Sequence, residues 1–256
     1  MPDKSLGQHW LTDRTILAAI ADSAQLTKQD TVLEIGPGLG TLTSELLRRA
    51  GRVIAVEYDE TLARKLPGQF PGTNLEVITG DILQFNLSTL PQNYKVVANV
   101  PYYITSKIVE MLMTAEHKPS VSVLLVQKEV AKRIAAGPGD MSLLALSAQQ
   151  YAEAKLGIEV PREYFTPPPK VDSQVVILTA RQQPLVPVDI QRKFWRIARA
   201  GFVNKRKKLR SSISAGLGVT KPTAEDWLHS AAIDPNLRAQ DLSIEDWRRL
   251  AAIIEV

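Results

Sequence analysis

Hydrophobic residues in the first 180 positions alternate between two spacings. Short runs rich in β-branched residues indicate strands, and apolar residues three or four positions apart indicate helices. Strands are predicted at Thr31–Ile35, Arg52–Val56, Leu75–Ile78, Lys95–Ala98, Val121–Val126, Lys155–Val160 and Ser173–Thr179. Helices are predicted at Thr41–Ala50, Glu60–Leu66, Thr105–Met113, Lys128–Ala136 and Ser142–Tyr151. This alternation predicts an α/β fold whose mostly parallel sheet is covered by helices on both faces.

The pattern changes after position 180. Gln182–Val188 contains two prolines and is typical of a linker, and the residues that follow have helical spacing throughout. Thr223 and Ser243 each precede an acidic residue by three positions, which is the pattern of a helix start. We therefore predict an α/β domain over residues 1–183 and a small all-α domain over residues 184–256.

Composition excludes several classes of protein. The 256 residues include no cysteine, which excludes disulfide frameworks, thiolate catalysis and cysteine-ligated zinc. No apolar run approaches the ~20 residues that cross a bilayer. The first residues lack the charged, apolar and small regions of a secretory signal. We therefore expect a cytoplasmic protein that does not associate with membranes, with a monomer as the simplest state.

The charge is unevenly distributed along the chain. The net charge is only +4, but fourteen basic and eight acidic residues occur from Arg181 onward. Between Ile190 and Ala224 there are ten basic residues and no acidic one. A solvated helix face would explain a short cluster of this kind. A stretch of this length without an acid favours a nucleic acid as partner.

A glycine-rich loop follows the first predicted strand and leads into a helix. Its sequence, Glu34-Ile35-Gly36-Pro37-Gly38-Leu39-Gly40, allows tight turns and leaves space for a ligand beside the backbone. Open α/β sheets bind ligands at the carboxyl ends of their strands. A dinucleotide fingerprint would require glycine at position 41, where Thr41 stands. The loop therefore favours a nucleoside that carries an amino acid over NAD.

Acidic residues follow the next two predicted strands. Glu57 lies at the end of the second and can accept hydrogen bonds from both hydroxyls of a ribose. Asp81, within Gly80-Asp81-Ile82 at the end of the third, can accept one from the amino group of an adenine. Either acid alone is most often a turn residue. Glycines and two acids at three consecutive strand ends favour a nucleoside site.

The fourth predicted strand runs into Asn99-Val100-Pro101-Tyr102. By itself this is equally a proline turn with a buried tyrosine. An adenine N6 amine is a poor nucleophile because its lone pair is delocalised into the ring. Asn99 Oδ1 and the Val100 carbonyl could accept its two hydrogens, Pro101 would fix the backbone, and Tyr102 could stack on the base. Alignment of the amine with a methyl donor would then supply most of the rate, without a metal ion.

Together these motifs resemble the ribosomal RNA adenine dimethyltransferases of the KsgA/RsmA type, over nearly the whole chain. Glu57 and Asp81 match that family's S-adenosylmethionine motifs, while His9 and Trp10 replace its usual asparagine and phenylalanine. The matching segments are Lys4–Leu11, Glu34–Gly40, Asn99–Tyr102, Val126–Arg133, Phe165–Ser173 and Phe202–Leu209.

The resemblance implies a class I, Rossmann-like methyltransferase fold with a seven-stranded sheet, an antiparallel last strand and a small helical C-terminal domain. It implies N6,N6-dimethylation of two adjacent adenines near the 3′ end of 16S ribosomal RNA, in the small ribosomal subunit during its assembly (pre-30S), with S-adenosylmethionine as cofactor. Phe165 would form the second wall of the adenine slot, opposite Tyr102. The residues expected to bind the cofactor are His9, Leu11, Gly36, Gly38, Glu57, Asp81, Ile82 and Asn99. Those expected to bind RNA are Lys205, Arg206, Lys207, Lys208 and Arg210.

Three alternatives differ in what they predict. A related methyltransferase acting on large-subunit RNA and giving macrolide resistance would share the cofactor and catalytic motifs. The complete Phe165–Ser173 segment and the basic C-terminal helix favour the small subunit. An RNA-binding assembly or transcription factor that lost catalysis would show damage at Asn99 or the glycine loop, and neither is altered. An NAD enzyme is disfavoured by Thr41 and by Asn99–Tyr102.

Overall fold

The computed structural model describes residues 9–254, which form two compact units. The first contains the residues up to 132 and residues 152–180, and the second contains residues 133–151 and those from 181 onward. The prediction of one domain boundary near residue 183 placed residues 133–151 in the first domain, whereas in the structure they belong to the second unit. That segment belongs with the C-terminal helices because Met141, Ala145 and Leu146 are buried in the same hydrophobic cluster as Phe194 and Ile197.

The elements alternate through the first unit and are helical in most of the second. The strands are β1 (Trp10–Leu11), β2 (Thr31–Ile35), β3 (Arg52–Glu57), β4 (Leu75–Thr79), β5 (Lys95–Asn99), β6 (Val121–Gln127), β7 (Ala152–Val160), β8 (Phe165–Thr166) and β9 (Ser173–Ala180). The helices are α1 (Arg14–Asp22), α2 (Thr41–Arg49), α3 (Glu60–Gln69), α4 (Thr105–Thr114), α5 (Lys128–Ile134), α6 (Leu143–Gln149), α7 (Val188–Phe202), α8 (Leu209–Leu217), α9 (Lys221–Ser230) and α10 (Ile244–Ile253). None of these helices is long and apolar enough to span a bilayer.

Seven of the strands form one sheet in the order β4-β3-β2-β5-β6-β9-β7. All neighbours from β4 to β6 are parallel, and β9 is antiparallel to both β6 and β7. The predicted seven-stranded, mostly parallel sheet with an antiparallel last strand is thereby confirmed. The chain proceeds from β2 to β3 and β4 on one side and then returns to β5 and β6 on the other. The strand order reverses between β2 and β5, which is where open α/β sheets bind ligands.

The seven long strands and five helices predicted for the first 180 residues are all present, with ends that differ by at most three residues. β6 is buried along most of its length, as its continuous apolar run predicts. The pattern did not predict β1 and β8, because strands of two residues show no periodicity. It also missed α1, although Asp13 provides a helix-start signal by accepting a hydrogen bond from Ile16 N at 3.0 Å.

Of the two helix starts predicted in the C-terminal part of the chain, one is confirmed and one is wrong. At Ser243 the prediction is confirmed, since Ser243 Oγ accepts from Asp246 N at 3.1 Å and Asp246 Oδ2 accepts from Ser243 N at 2.8 Å. At Thr223 it is wrong, because α9 begins at Lys221 and Thr220 is its N-cap. Pro222, whose fixed φ suits the first helical turn, favours this earlier start.

Candidate active site and basic surface

A cleft of about 340 Å³ lies at the carboxyl ends of β2, β3, β4 and β5. The structure brings into its lining every residue predicted to bind the cofactor, together with Val100, Pro101 and Tyr102. These residues come from positions 9 to 102 of the chain. Most of them meet because the parallel strands end at one edge of the sheet, whereas His9 and Leu11 come from the separate β1 segment.

The glycine loop after β2 forms one wall of the cleft. Gly36, Gly38 and Gly40 have φ values of 65°, 56° and 78°, which are strained for other residues. A Cβ on Gly40 would also lie 2.6 Å from Leu66 Cδ1. Gly40 precedes α2 without a side-chain cap, so the first backbone N–H groups of that helix remain available to a ligand.

Glu57, at the end of β3, is held by the backbone on both sides of its carboxylate. Its Oε2 accepts from Gly38 N and its Oε1 from Asp59 N, each at 2.9 Å. A carboxylate has about four lone-pair sites, so each oxygen can accept a further hydrogen bond. The bond to Gly38 also fixes the glycine loop relative to β3. Glu57 is thus positioned to bind two adjacent hydroxyl groups in the cleft.

Asp81 lies beyond the end of β4 and caps a 3-10 helix over Ile82–Gln84. Its Oδ1 accepts from Leu83 N at 2.9 Å, which fixes the side chain and leaves Oδ2 for a ligand. Ile82 is buried and lines the cleft beside it. This arrangement provides an acceptor next to an apolar surface, which suits an adenine ring.

Asn99 has a defined amide orientation at the end of β5. Its Nδ2 donates to the backbone carbonyl of His9 at 3.3 Å. Because that partner can only accept, the amide nitrogen faces His9 and Oδ1 is the acceptor that remains for a substrate. Val100 is buried, and its N–H donates to Leu125 O at 3.1 Å. The backbone is therefore anchored immediately before Pro101.

Tyr102 is fixed by its hydroxyl and by one face of its ring. The hydroxyl lies 2.6 Å from Ser173 Oγ on β9, and burial raises the pKa of the phenol. The ring stacks on that of His9 with centroids 5.8 Å apart and planes at 22°. His9 in turn lies with Nδ1 2.7 Å from Pro167 O. A base can therefore stack on Tyr102 only on the face away from His9.

Phe165 lies in the core of the first unit. It pairs with Leu11 between β8 and β1, is 2% exposed, and belongs to a core cluster that contains Val160 and Val175. It is not among the residues that line the cleft. Pairing with β1 thus turns this side chain into the core, and its role as the second wall of an adenine slot stays a prediction.

Several residues of the cleft lining were not predicted to bind the cofactor or the substrate. Tyr58 and Tyr103 are exposed aromatic residues that directly follow Glu57 and Tyr102. Trp10 lies 3.7 Å from the position of a Cβ on Gly38, and Thr41 Oγ1 donates to Leu11 O at 2.9 Å. Their adjacency to the motif residues is the signal that could have indicated them.

Glu34 is a fully buried carboxyl group in the lining of the cleft. Burial, with the nearby charge of Glu57, raises the pKa of Glu34 to about 8, while a hydrogen bond from Thr43 Oγ1 at 2.7 Å opposes that rise. Glu34 is therefore protonated at neutral pH in the absence of a cation nearby.

The basic residues predicted to bind RNA divide into two sets. Lys205, Arg206, Lys207 and Lys208 are exposed in the turn between α7 and α8, and Lys208 Nζ donates to Asn236 Oδ1 at 2.9 Å. Arg210 instead forms an ion pair with Glu225 at 2.5 Å. The turn thus presents an exposed cationic surface, whereas the charge of Arg210 is already compensated.

Comparison with known proteins gives consistent matches over the whole chain. The family described as "Ribosomal RNA adenine dimethylase" matches residues 2–255. "Ribosomal RNA small subunit methyltransferase A" of Dehalococcoides mccartyi is 46% identical over 251 residues, covering 96% of this chain and 86% of that protein. The protein of the same name from Streptococcus equi subsp. zooepidemicus is 40% identical, covering 97% and 90%.

Two solved structures with the same fold cover nearly the whole chain. A dimethyladenosine transferase from Plasmodium falciparum has a TM-score of 0.80 and 27% identity, covering 94% of this chain and 96% of that one. The 23S rRNA methyltransferase ErmE has a TM-score of 0.78 and 29% identity, covering 95% and 98%.

Proposed function

Because the chain belongs to the ribosomal RNA adenine dimethylase family, we propose that it dimethylates the N6 amines of two adjacent adenines near the 3′ end of 16S ribosomal RNA. It is an S-adenosylmethionine-dependent methyltransferase that acts on ribosomal RNA. The observation that carries the proposal is the fixed amide of Asn99, whose Oδ1 is free to accept in the cleft that contains Glu57 and Asp81.

The residues of the cleft suit S-adenosylmethionine. The free acceptor sites of Glu57 suit the ribose hydroxyls, and Asp81 Oδ2 beside Ile82 suits the adenine. The uncapped start of α2 suits the carboxylate of the amino-acid part. When bound, the cofactor supplies a methyl group on a positively charged sulfur.

Side-chain and backbone groups of the Asn99–Tyr102 segment would then prepare the target amine. Asn99 Oδ1 and the Val100 carbonyl accept its two hydrogens, which localises the nitrogen lone pair for transfer. Tyr102 stacks on the base with the face that His9 leaves open. A base stacked on an aromatic ring gains about 1–3 kcal/mol, which offsets the cost of unstacking it from RNA. Asn99 places no fixed charge beside an amine that loses a proton after transfer.

The small ribosomal subunit is the proposed target because relatives at 40–46% identity are named as methyltransferases of small-subunit ribosomal RNA. A large-subunit target is the second candidate, since ErmE shares the fold at 29% identity. The proposal includes pre-30S particles as partner, a monomeric enzyme, the cytoplasm as its location, and RNA contacts through Lys205–Lys208 of the helical domain over residues 184–256.

The test is methyl transfer from labelled S-adenosylmethionine to undermethylated small and large subunits, followed by mapping of the modified bases. Label on two adjacent adenines of the small-subunit RNA is expected. Asn99→Ala should abolish transfer while cofactor binding persists, and Asn74→Ala, which alters an exposed amide outside the cleft, should retain activity. Label on large-subunit RNA alone, or on neither, would refute the proposal.

A further inference from the structure

The arginines of this protein differ in whether they have a carboxylate partner. Those in ion pairs are Arg48, Arg49, Arg52, Arg64, Arg210, Arg248 and Arg249. Arg192, Arg196 and Arg199 of α7 are exposed, and none has a carboxylate within 4.0 Å among residues 9–254. None of the three is therefore in an ion pair within the part of the chain that the structure describes.

These three arginines lie on one face of α7. Their spacing of four and three residues places them in a row, which covers about 10 Å of the helix at ~1.5 Å per residue. The row continues to Val203, which is 67% exposed, and no acidic residue occurs from Ile190 to Ala224. The opposite face of α7 buries Phe194, Ile197 and Ala198 in the core, so the row cannot rotate away from solvent.

One guanidinium of the row is already held in position. Arg199 Cζ lies 5.9 Å from the ring centroid of Trp195, which packs edge-on against Phe194 at 5.3 Å. A guanidinium that lies over an aromatic face keeps the N–H groups at its edge free. Because the side chain is already held in place, it loses less conformational entropy when it binds an anion. Arg199 is also in the last turn of α7, where a cation is stabilised by the helix dipole.

We propose that Arg192, Arg196 and Arg199 form a second RNA-contacting surface, separate in sequence from Lys205–Lys208, that binds successive phosphates of one RNA strand. The proposal rests on ribosomal RNA as substrate. A row of like charges with no acid among them matches the regular charge of a nucleic-acid backbone, and the arginine fork suits phosphate. Contacts of this kind position the RNA and do not select its sequence.

The surface is tested by the salt dependence of binding to protein-free small-subunit RNA between ~50 and ~300 mM KCl. Substituting Arg192→Gln, Arg196→Gln and Arg199→Gln should lower the slope of log Kd against log salt by about 2–3, since each phosphate contact contributes ~0.7–0.9. Arg→Lys at the same positions should retain most of the slope. The control is Arg48→Gln, Arg52→Gln and Arg64→Gln, which removes the same charge from ion-paired arginines and should leave the slope unchanged.

Arg192→Gln with Arg196→Gln alone avoids the Trp195 contact and should still lower the slope by about 1.4–1.8. An unchanged slope in both variants would overturn the proposal. So would a loss of binding seen with intact subunits but not with protein-free RNA, because that would indicate a protein partner. Absence of methyl transfer by the unaltered enzyme would count against the proposed function. The salt-dependence slopes of the arginine variants test only whether this surface binds RNA.

Discussion

At the scale of single residues, Glu34 has an environment very different from that of a free side chain. Its carboxyl is buried beside the negative charge of Glu57, and its folded-state pKa is about 8 against an ordinary 4.5. Between these two values the folded protein holds a proton that the unfolded chain has lost. Linkage then requires that stability falls as pH rises from about 4.5 to about 8.

Glu34→Gln should therefore flatten this part of the stability profile. The amide keeps the shape of the protonated carboxyl and does not ionise, so the variant should gain stability relative to the native protein by up to ~1.4 kcal/mol for each pH unit in that window. Urea unfolding without cofactor, at several pH values from 5 to 8.5, measures the difference. Glu60→Gln, at an exposed position on α3, serves as control. Parallel profiles for the native protein and Glu34→Gln would contradict the assignment.

The predicted site residues that the structure brings together in the cleft share a local signal. Gly36, Glu57, Asp81 and Asn99 follow strands, and the strands end at one edge of the sheet. Phe165 has no such signal, because its direction is set by pairing with Leu11, more than 150 positions away. Burial of Glu34 likewise depends on packing that no local pattern contains.

At the scale of elements, α7 and α8 pack closely against each other. A Cβ on Gly216 would lie 2.6 Å from Ala200 Cα, and backbone at that distance cannot move aside as a flexible side chain can. Gly201, one residue further along α7, faces Trp247 of α10 in the same way, at 2.3 Å from Cη2. Two glycines therefore set how closely three helices pack.

Gly216→Ala should destabilise the helical unit by about 1–3 kcal/mol, because overpacking exceeds the gain in helix propensity. Chemical denaturation of the full chain, with Trp fluorescence as the probe, checks this. Gly68→Ala is the matched control, since Gly68 is also helical and nothing lies within 4 Å of its Cβ position. It should stabilise by up to ~1 kcal/mol. Equal effects of the two substitutions would mean that the contact with Ala200 is not tight.

The long helices and strands were predictable because the spacing of their apolar residues recurs several times along each element. The two-residue strands β1 and β8 were not, since their existence depends on one antiparallel pairing across the first unit. The segment 133–151 shows the same limit. Its helical pattern was visible, but its packing with Phe194 and Ile197 follows from the tertiary fold.

At the scale of the whole molecule, the charge pattern predicts how RNA binding responds to salt. If about six cations of the segment from Ile190 to Ala224 contact phosphates, affinity should fall ~10³-fold between ~50 and ~200 mM salt. Neutralising Lys205, Arg206, Lys207 and Lys208 together should weaken this dependence. Arg248→Gln with Arg249→Gln, which alters paired cations of the same unit, should not. A flat salt response of the native protein would contradict the prediction.

The bond from Asn99 Nδ2 to His9 O has a consequence for biosynthesis. It joins positions 90 residues apart, and His9 is itself held through Pro167, another 158 positions away from it. A nascent chain that has passed β5 already contains Asn99 but lacks the segment that holds His9 against it. The two hydrogen bonds that orient the amide can therefore both form only after residue 167 has been synthesised, so a growing chain that has passed β5 does not yet hold Asn99 as the complete protein does.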